Sequence, residues 1–453
     1  MRTKNLAFVA ALFLLVLPFS SCDSLFDSKS EETVVVKPKP EEPPPQVPEW
    51  TFIVYMAADN NLESAAISDM NEMESAGAFL SGNNSVLVLL DRAAGYDATN
   101  GDWSGTRLFR VLEDSSVSQS ALTSERLSCP ELGLSCEYET ELDMANKDTL
   151  ANLLSFARRE YNAKHYALIV WGHGNGWRGS DASGSKAFAE DSFSGGCMSI
   201  CDLRMAIDEG MGGEELDFVG FDTCFGNCIE LCYELSSSAR LLAGTPALVP
   251  SGGWNYTDFF ELFAKSSMSV AELADCAVEQ FKKSYSSYAH ACFSVVDISK
   301  LREAAESFDA LMQSCADLVC DGSKALAYSD LCQKSVRSYC AAEFPCDYFL
   351  DAKDFARKVA WVEPSLQNMC GAVVADFDRA LVSSWSADGE EISLGIFYSV
   401  FEAAACPSYT HPPLYVNESR ETGKCRFVSE LCGYVPTALK KGSFLDKVFY
   451  KAY

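Results

Sequence analysis

This sequence predicts an α/β fold: a mostly parallel sheet sandwiched by helices, with a helical or mixed C-terminal subdomain. Two observations carry that expectation. Six short apolar, β-favouring runs recur between residues 50 and 297, and helical patterns separate most of them. Strand–helix–strand order of this kind feeds a parallel sheet covered on both faces. Composition agrees, because 453 residues that are 48% apolar and 22% charged can bury a large core and are too apolar for a disordered chain.

The first segment to justify is the N-terminus. Arg2 and Lys4 precede an apolar run from Leu6 to Phe19, followed by Ser20, Ser21 and Cys22. Charged, apolar and small-residue regions in that order form an export signal over residues 1–21, too short to span a bilayer comfortably. Small residues leading into a cysteine also resemble a bacterial lipobox, which makes Cys22 the lipidation candidate; an ordinary cleaved signal is the alternative. Acyl chains on Cys22 would anchor the protein in membrane lipid, each buried methylene contributing about 0.8 kcal/mol. Residues 22–49 then form an acidic, proline-rich linker. Six of the eleven residues from Pro38 to Pro48 are proline, which favours an extended stalk of about 3.1 Å per residue.

The core is expected over residues 50–300. Residues 50–58 (WTFIVYMAA) are a nearly unbroken apolar run, as in a strand buried on both faces. A helix is expected over 62–80, with Leu62, Ala65, Ala66, Met70 and Met73 on one face. Strand 85–91 follows, then a hairpin arm at 106–112 and a polar, irregular stretch over 115–146. Helix 148–163, strand 166–171, a long Gly/Ser loop over 172–196, a short helix near 202–209 and strand 216–222 continue the order. Helix 224–238, strand 241–249, helix 270–288 and strand 292–297 complete the core. Residues 301–453 are expected to be helical at first, with a strand-like run at 392–398, packed on the core.

Charge and rare residues narrow the chemistry. Acidic residues number 64 against 36 basic ones, a formal charge of −28. Removing residues 1–21 takes away two positive charges and leaves −30. Such a surface repels phosphate backbones, so nucleic-acid binding is excluded as the main function. Only His165, His173, His290 and His411 are available for histidine chemistry. None of the nineteen cysteines forms a C-x2-C pair, so no zinc site and no other metal or cofactor is expected. In an exported chain many of the cysteines can pair, with a connectivity that sequence does not reveal.

In doubly covered parallel sheets ligands bind just beyond the carboxyl ends of the strands. That rule selects residues 59–61, Asp91, residues 172–177 and residues 222–226. Two of these carry reactive groups. His173 sits between Gly172 and Gly174, where small neighbours admit a substrate backbone. Cys224 stands where strand 216–222 gives way to an expected helix, whose N-terminal amides would favour the nucleophilic thiolate. His173 can take the thiol proton, and the backbone amides of Gly174 and Cys224 can stabilise an oxyanion.

At these residues the chain resembles the clostripain-like (C11) cysteine peptidases of the caspase–legumain–gingipain clan. The segments WTFIVYMAADNNLE, YALIVWGHGNGW, FDTCFGNCIE, SGGWNY, DYFLDAKDFA and ISLGIFY are similar to that family's landmarks. The resemblance implies a caspase-like sandwich, His173 as acid/base, Cys224 as nucleophile and no obligatory third member. It implies protein or peptide substrates; the metal dependence of some members has no visible ligand motif here, so no cofactor is expected. Asp222 matches the position of a carboxylate that selects Arg or Lys at P1; the alternative for it is a cap on the next helix. Family members often carry further acids near SGGWNY, whereas residues 245–256 here hold none. The resemblance also implies self-cleavage in the loop between His173 and Cys224, with Lys186 the candidate and Arg178 the weaker one.

Other readings are weaker. A serine hydrolase lacks its G-x-S-x-G elbow, and a papain-like enzyme would place Cys before His. The remaining rival is a surface lipoprotein that keeps the fold as a binding module without catalysis.

Overall fold

The computed structural model describes residues 47–114, 121–176, 188–319, 322–334, 336–339 and 347–399. These belong to one compact unit that begins at Val47. In chain order the elements begin with β1 (Trp50–Ala58), α1 (Glu63–Glu74), α2 (Gly77–Leu80), β2 (Asn84–Arg92), β3 (Gly105–Arg110), β4 (Glu125–Leu127), α3 (Lys147–Glu160) and β5 (His165–Trp171). Next come α4 (Ile200–Gly210), β6 (Leu216–Asp222), α5 (Ile229–Glu234), β7 (Ala239–Gly244), α6 (Tyr256–Ala264), α7 (Val270–Tyr285) and β8 (Cys292–Asp297). The last are α8 (Ile298–Leu318), α9 (Gly322–Lys334), β9 (Asp347–Asp351), α10 (Ala352–Val362), α11 (Gln367–Ala380), β10 (Leu381–Ser386) and β11 (Gly395–Ser399).

Nine strands form one sheet in the order β10-β8-β7-β6-β5-β1-β2-β3-β4. The centre, β2-β1-β5-β6-β7, is parallel, as the alternation predicts. Both flanks are antiparallel. The turn of direction at β8 has a simple cause: two helices, α6 and α7, lie between β7 and β8, and one extra reversal brings the chain back pointing the other way.

Burial on both faces explains why the central strands read as unbroken apolar runs. Along β1, Ile53, Tyr55 and Ala57 face the core beneath α3, α4, α8 and α10, while Phe52, Val54, Met56 and Ala58 face the core beneath α1, α6 and α7. Phe52 meets Phe79, Phe259, Phe260 and Phe263 edge-on, with centroids 5.2–6.0 Å apart. The helices start where polar side chains satisfy their free amides. Ser269 and Glu272 form a reciprocal capping box on α7, and Asn146, Ser199 and Asn255 cap α3, α4 and α6.

Several boundaries differ from expectation. The helix expected over 62–80 breaks at Ser75–Ala76 into α1 and α2. The helix expected from Cys224 begins only at Ile229, and α6 is an element that the sequence does not predict. The late segments DYFLDAKDFA and ISLGIFY pair through β9 and β11 as a separate antiparallel ribbon. That ribbon touches the sheet's site end, where the Gly395 N–H donates to the Asn227 carbonyl at 3.2 Å. Among the described residues no helix is long and apolar enough to cross a membrane. Cys22 and Lys186, with most of the expected stalk, lie outside the described residues.

Candidate active site

The site forms where β1, β5 and β6 end. Beyond β5, the Gly172 N–H donates to the Asp222 carbonyl at 3.3 Å, carrying the β5–β6 pairing one residue further. Gly172 has φ of +135°, and a Cβ there would lie 3.0 Å from the Ala57 carbonyl oxygen, so glycine is required. Next, His173 is half-buried, and its Nε2 lies 2.8 Å from Asn61 Oδ1. An amide oxygen only accepts, so this contact selects the Nε2–H tautomer and leaves the lone pair on Nδ1. Asn60 anchors the same corner through its amide, donating to the Ala57 and Glu190 carbonyls at 3.1 and 3.0 Å.

The two reactive loops are in contact. A side chain at Gly174 would collide with the Cys224 carbonyl and would lie 2.6 Å from Thr223 Cβ. The backbone after His173 therefore packs directly on the Thr223–Cys224 turn. Adjacent parallel strands bring together residues about fifty positions apart.

Cys224 is half-buried in a tight turn rather than in a helix. Phe225 adopts φ of +53°, a conformation uncommon for a bulky residue, and turns the chain sharply after the cysteine. Backbone bonds hold the turn open: Phe225 N–H to the Ala247 carbonyl at 2.8 Å and Asn227 N–H to the Thr245 carbonyl at 3.1 Å. The Asn227 amide reaches Ser294 Oγ at 2.8 Å. Cys224, Cys228 and Cys232 thus do not share a helical face. Cys228 is the residue before α5 and Cys232 lies within it.

This overturns the expected electrostatics of the thiol. No helix N-terminus reaches Cys224, and burial, reinforced by the Asp222 charge, pushes its pKa up rather than down. The opposing influence is one N–H, from Val249, 3.4 Å from Sγ. The thiol therefore stays protonated near neutral pH until a base takes the proton.

Asp222 does not cap the next helix, which starts seven residues later. Its Oδ2 accepts from the Trp254 N–H and the Tyr256 hydroxyl, both at 3.0 Å. Gly253, at φ of +58°, passes so close that a Cβ would lie 2.9 Å from Oδ2. Segment 253–256 thus wraps the carboxylate. Burial, with a contribution from Glu72, raises its pKa to about 7 against those two donors. Asp69, buried next to it, is pushed upward too, first by burial and then by Asp222. The Trp171 indole donates to Asp69 Oδ2 at 2.7 Å and links this acidic pair to the strand carrying His173.

Asp59, Asp91 and Glu141 place carboxylate oxygens within 4.8 Å of one another. Three oxygens with no nitrogen or sulfur suit a hard cation or a shared proton. No metal motif was expected, and these residues lie too far apart in sequence to form one. Among the described residues no disulfide joins the twelve cysteines to one another. Of the histidines, His165 stacks on Trp50 and pairs with Asp217 at the opposite end of β5.

The profile of the clostripain family, Peptidase_C11, matches residues 54–416. The chain belongs to the clostripain family. Clostripain from Hathewaya histolytica is 26% identical over 227 residues, covering 47% of this chain and 41% of that protein. The match thus spans less than half the length of that relative. The inactive zymogen of a C11 protease from Parabacteroides distasonis superimposes with a TM-score of 0.57 at 19% identity, covering 79% of this chain and 90% of that one. A secreted C11 cysteine protease from Bacteroides thetaiotaomicron, bound to an irreversible peptide inhibitor, gives 0.56 at 17% identity over 84% and 99%. These likenesses show the C11 fold: a nine-stranded mixed sheet flanked by helices. Asn61, inside the landmark segment WTFIVYMAADNNLE, is the site residue that the sequence reading left without a role. The strand-end rule selected its segment without giving it a role, because an amide three residues past a strand has no recognisable pattern.

Proposed function

We propose that this protein is a cysteine endopeptidase acting through a His173–Cys224 dyad. The observation that carries the reading is the packing of Gly174 on the Thr223–Cys224 turn while Asn61 holds the imidazole. His173 Nδ1 takes the Sγ proton as sulfur attacks the scissile carbonyl carbon. The oxyanion is stabilised by the Gly174 and Cys224 N–H groups. The imidazolium then protonates the leaving amine, leaving a thioester that water hydrolyses with His173 again as base. Asp222, a buried carboxylate wrapped by segment 253–256, supports a preference for Arg or Lys at P1. A peptide probe with an electrophilic warhead tests the dyad. Covalent labelling at Cys224 is the expected result, and no labelling would favour the binding-module alternative.

Two further parts of the proposal concern residues outside the described ones. Cys22 is read as the acylated first residue of an envelope-anchored lipoprotein. Radiolabelled palmitate is expected to enter the wild type and not Cys22→Ala; equal labelling of both would refute the lipobox. Lys186 is read as the site of self-cleavage. N-terminal sequencing of active protein is expected to give a second terminus at Ala187, absent from Cys224→Ala. A single intact chain with full activity would rule this out.

A further inference from the structure

A cleft of about 680 Å³ opens beside the nucleophile turn. Residues 247–251 form one wall and residues 288–291 another, with Arg337, Tyr339 and Asp388 closing the far side. Val249 belongs to both places, since it lines the cleft and donates its N–H toward Cys224 Sγ. The chain from 247 to 256 thus passes the thiol with this cleft on its earlier residues and the Asp222 carboxylate on its later ones.

Two charged groups in the cleft, Arg337 and Asp388, already satisfy one another, and the exposed His290 imidazole lines it as well. Arg337 pairs with Asp388 at 2.9 Å, donates to Ser386 Oγ at 3.0 Å, and holds its guanidinium 5.6 Å from the Tyr339 ring centroid. The Tyr339 hydroxyl donates to buried Asp351, which also receives the Ser393 N–H and hydroxyl. This is a structural use for the DYFLDAKDFA segment: Asp351 fixes the ring that closes the cleft. What the cleft offers a ligand is mostly carbon, from Leu248, Val249, Pro250, Ala291 and the Tyr288 ring, which is 54% exposed.

We propose that this cleft is the subsite for the substrate side chain at P2, and that it selects large apolar residues, aromatic ones above all. The inference rests on the dyad reading and deepens it. Successive side chains of an extended peptide point to opposite sides. A P1 side chain directed at Asp222 turns its P2 neighbour to the other side, which in this proposal is the cleft beside residues 247–251. A charged P2 side chain would lose water there and find Arg337 and Asp388 already paired. An aromatic one would bury its surface against Tyr288 and Tyr339.

The test uses the full chain and fluorogenic peptides with P1 fixed and P2 varied through Ala, Leu, Phe, Asp and Lys. Phe and Leu are expected to exceed Ala in kcat/KM by about tenfold or more, carried mostly by KM, as burial of one apolar side chain allows. Asp and Lys should fall below Ala. In Ala289→Trp, at an exposed position on the cleft, and in Tyr288→Ala, the Phe-to-Ala ratio should drop toward one. An active enzyme with a flat P2 profile, or one preferring Asp, overturns the subsite while leaving the dyad standing. Selectivity unchanged in both variants overturns it as well. A chain whose Cys224 resists every probe and which cleaves no peptide removes both readings together.

Discussion

Cys224→Ala is expected to lower kcat/KM by at least about 10⁴-fold, the scale seen when a nucleophile acting in concert with its base is removed. His173→Ala should fall nearly as far, because burial keeps the Cys224 thiol protonated and only a base converts it to thiolate. The fold should survive both changes. Cys224 lies in a turn held by the backbone bonds of Phe225 and Asn227, none of which uses its side chain. Its removal deletes one half-buried sulfur, a loss of about 1 kcal/mol or less. Activity that persists in Cys224→Ala with an intact fold would eliminate the mechanism. An unfolded variant would show instead that the sulfur's packing had been undervalued, and circular dichroism separates the two cases.

The raised thiol pKa gives Asn61 its significance. Where a helix dipole supplies the thiolate, the orientation of the histidine matters less. Here proton transfer must do that work, and the Asn61 oxygen sets which imidazole nitrogen is basic. Asn61→Ala leaves the dyad chemically complete but frees the tautomer. The expected result is a fall in kcat of about ten- to a hundredfold, with a parallel fall in the rate of Cys224 alkylation by a small electrophile, which needs the same proton transfer, and with KM changed less. Equal kcat in the variant would deny it a positioning role.

What could be read in the sequence, and what could not, follows from where each interaction is made. The buried strands were legible because burial on both faces leaves few polar positions, as in residues 50–58, where Thr51 is the one polar side chain. The juxtaposition of the His173 and Cys224 loops was legible because strand ends of a parallel sheet converge whatever the loops do. The false helix at Cys224 arose from local information. Three cysteines at helical spacing mimic an apolar face, but the Asn227 N–H is claimed by Thr245 and Gly226 packs on Phe221 and Gly244, so tertiary contacts override the local pattern. Helix α6 escaped notice for the opposite reason. Its start is set by the Asn255 cap and by its Phe-rich contacts with β1 and α2, which are long-range. The cluster of Asp59, Asp91 and Glu141 exists only after β1 and β2 have paired.

Asp222→Asn is expected to abolish preference for Lys or Arg at P1, a loss of about a hundredfold for those substrates, as for removal of one partner of a buried charge pair. The same carboxylate should give the preference a pH dependence. Its pKa is raised to about 7 by burial, so in the free enzyme the group is neutral below that value and charged above it. Attraction for a cationic side chain is thus absent at low pH and grows as pH rises through about 7. The dyad titrates as well, so the informative quantity is the ratio of kcat/KM for a Lys substrate to that for an uncharged isostere, in which dyad ionisation cancels. That ratio should climb through neutrality in the wild type and stay flat, near one, in Asp222→Asn. The neighbouring charge that raises Asp222 is that of Glu72, so Glu72→Gln should move the climb to lower pH, whereas Asp69 is itself held neutral by burial and by the Asp222 charge. A bound lysine stabilises the charged form, so the kcat profile should rise at lower pH than that of kcat/KM. A ratio independent of pH, with Lys preference intact in Asp222→Asn, would mean that basic side chains are recognised elsewhere on this acidic surface, and that Asp222 serves only to hold Trp254 and Tyr256 in place.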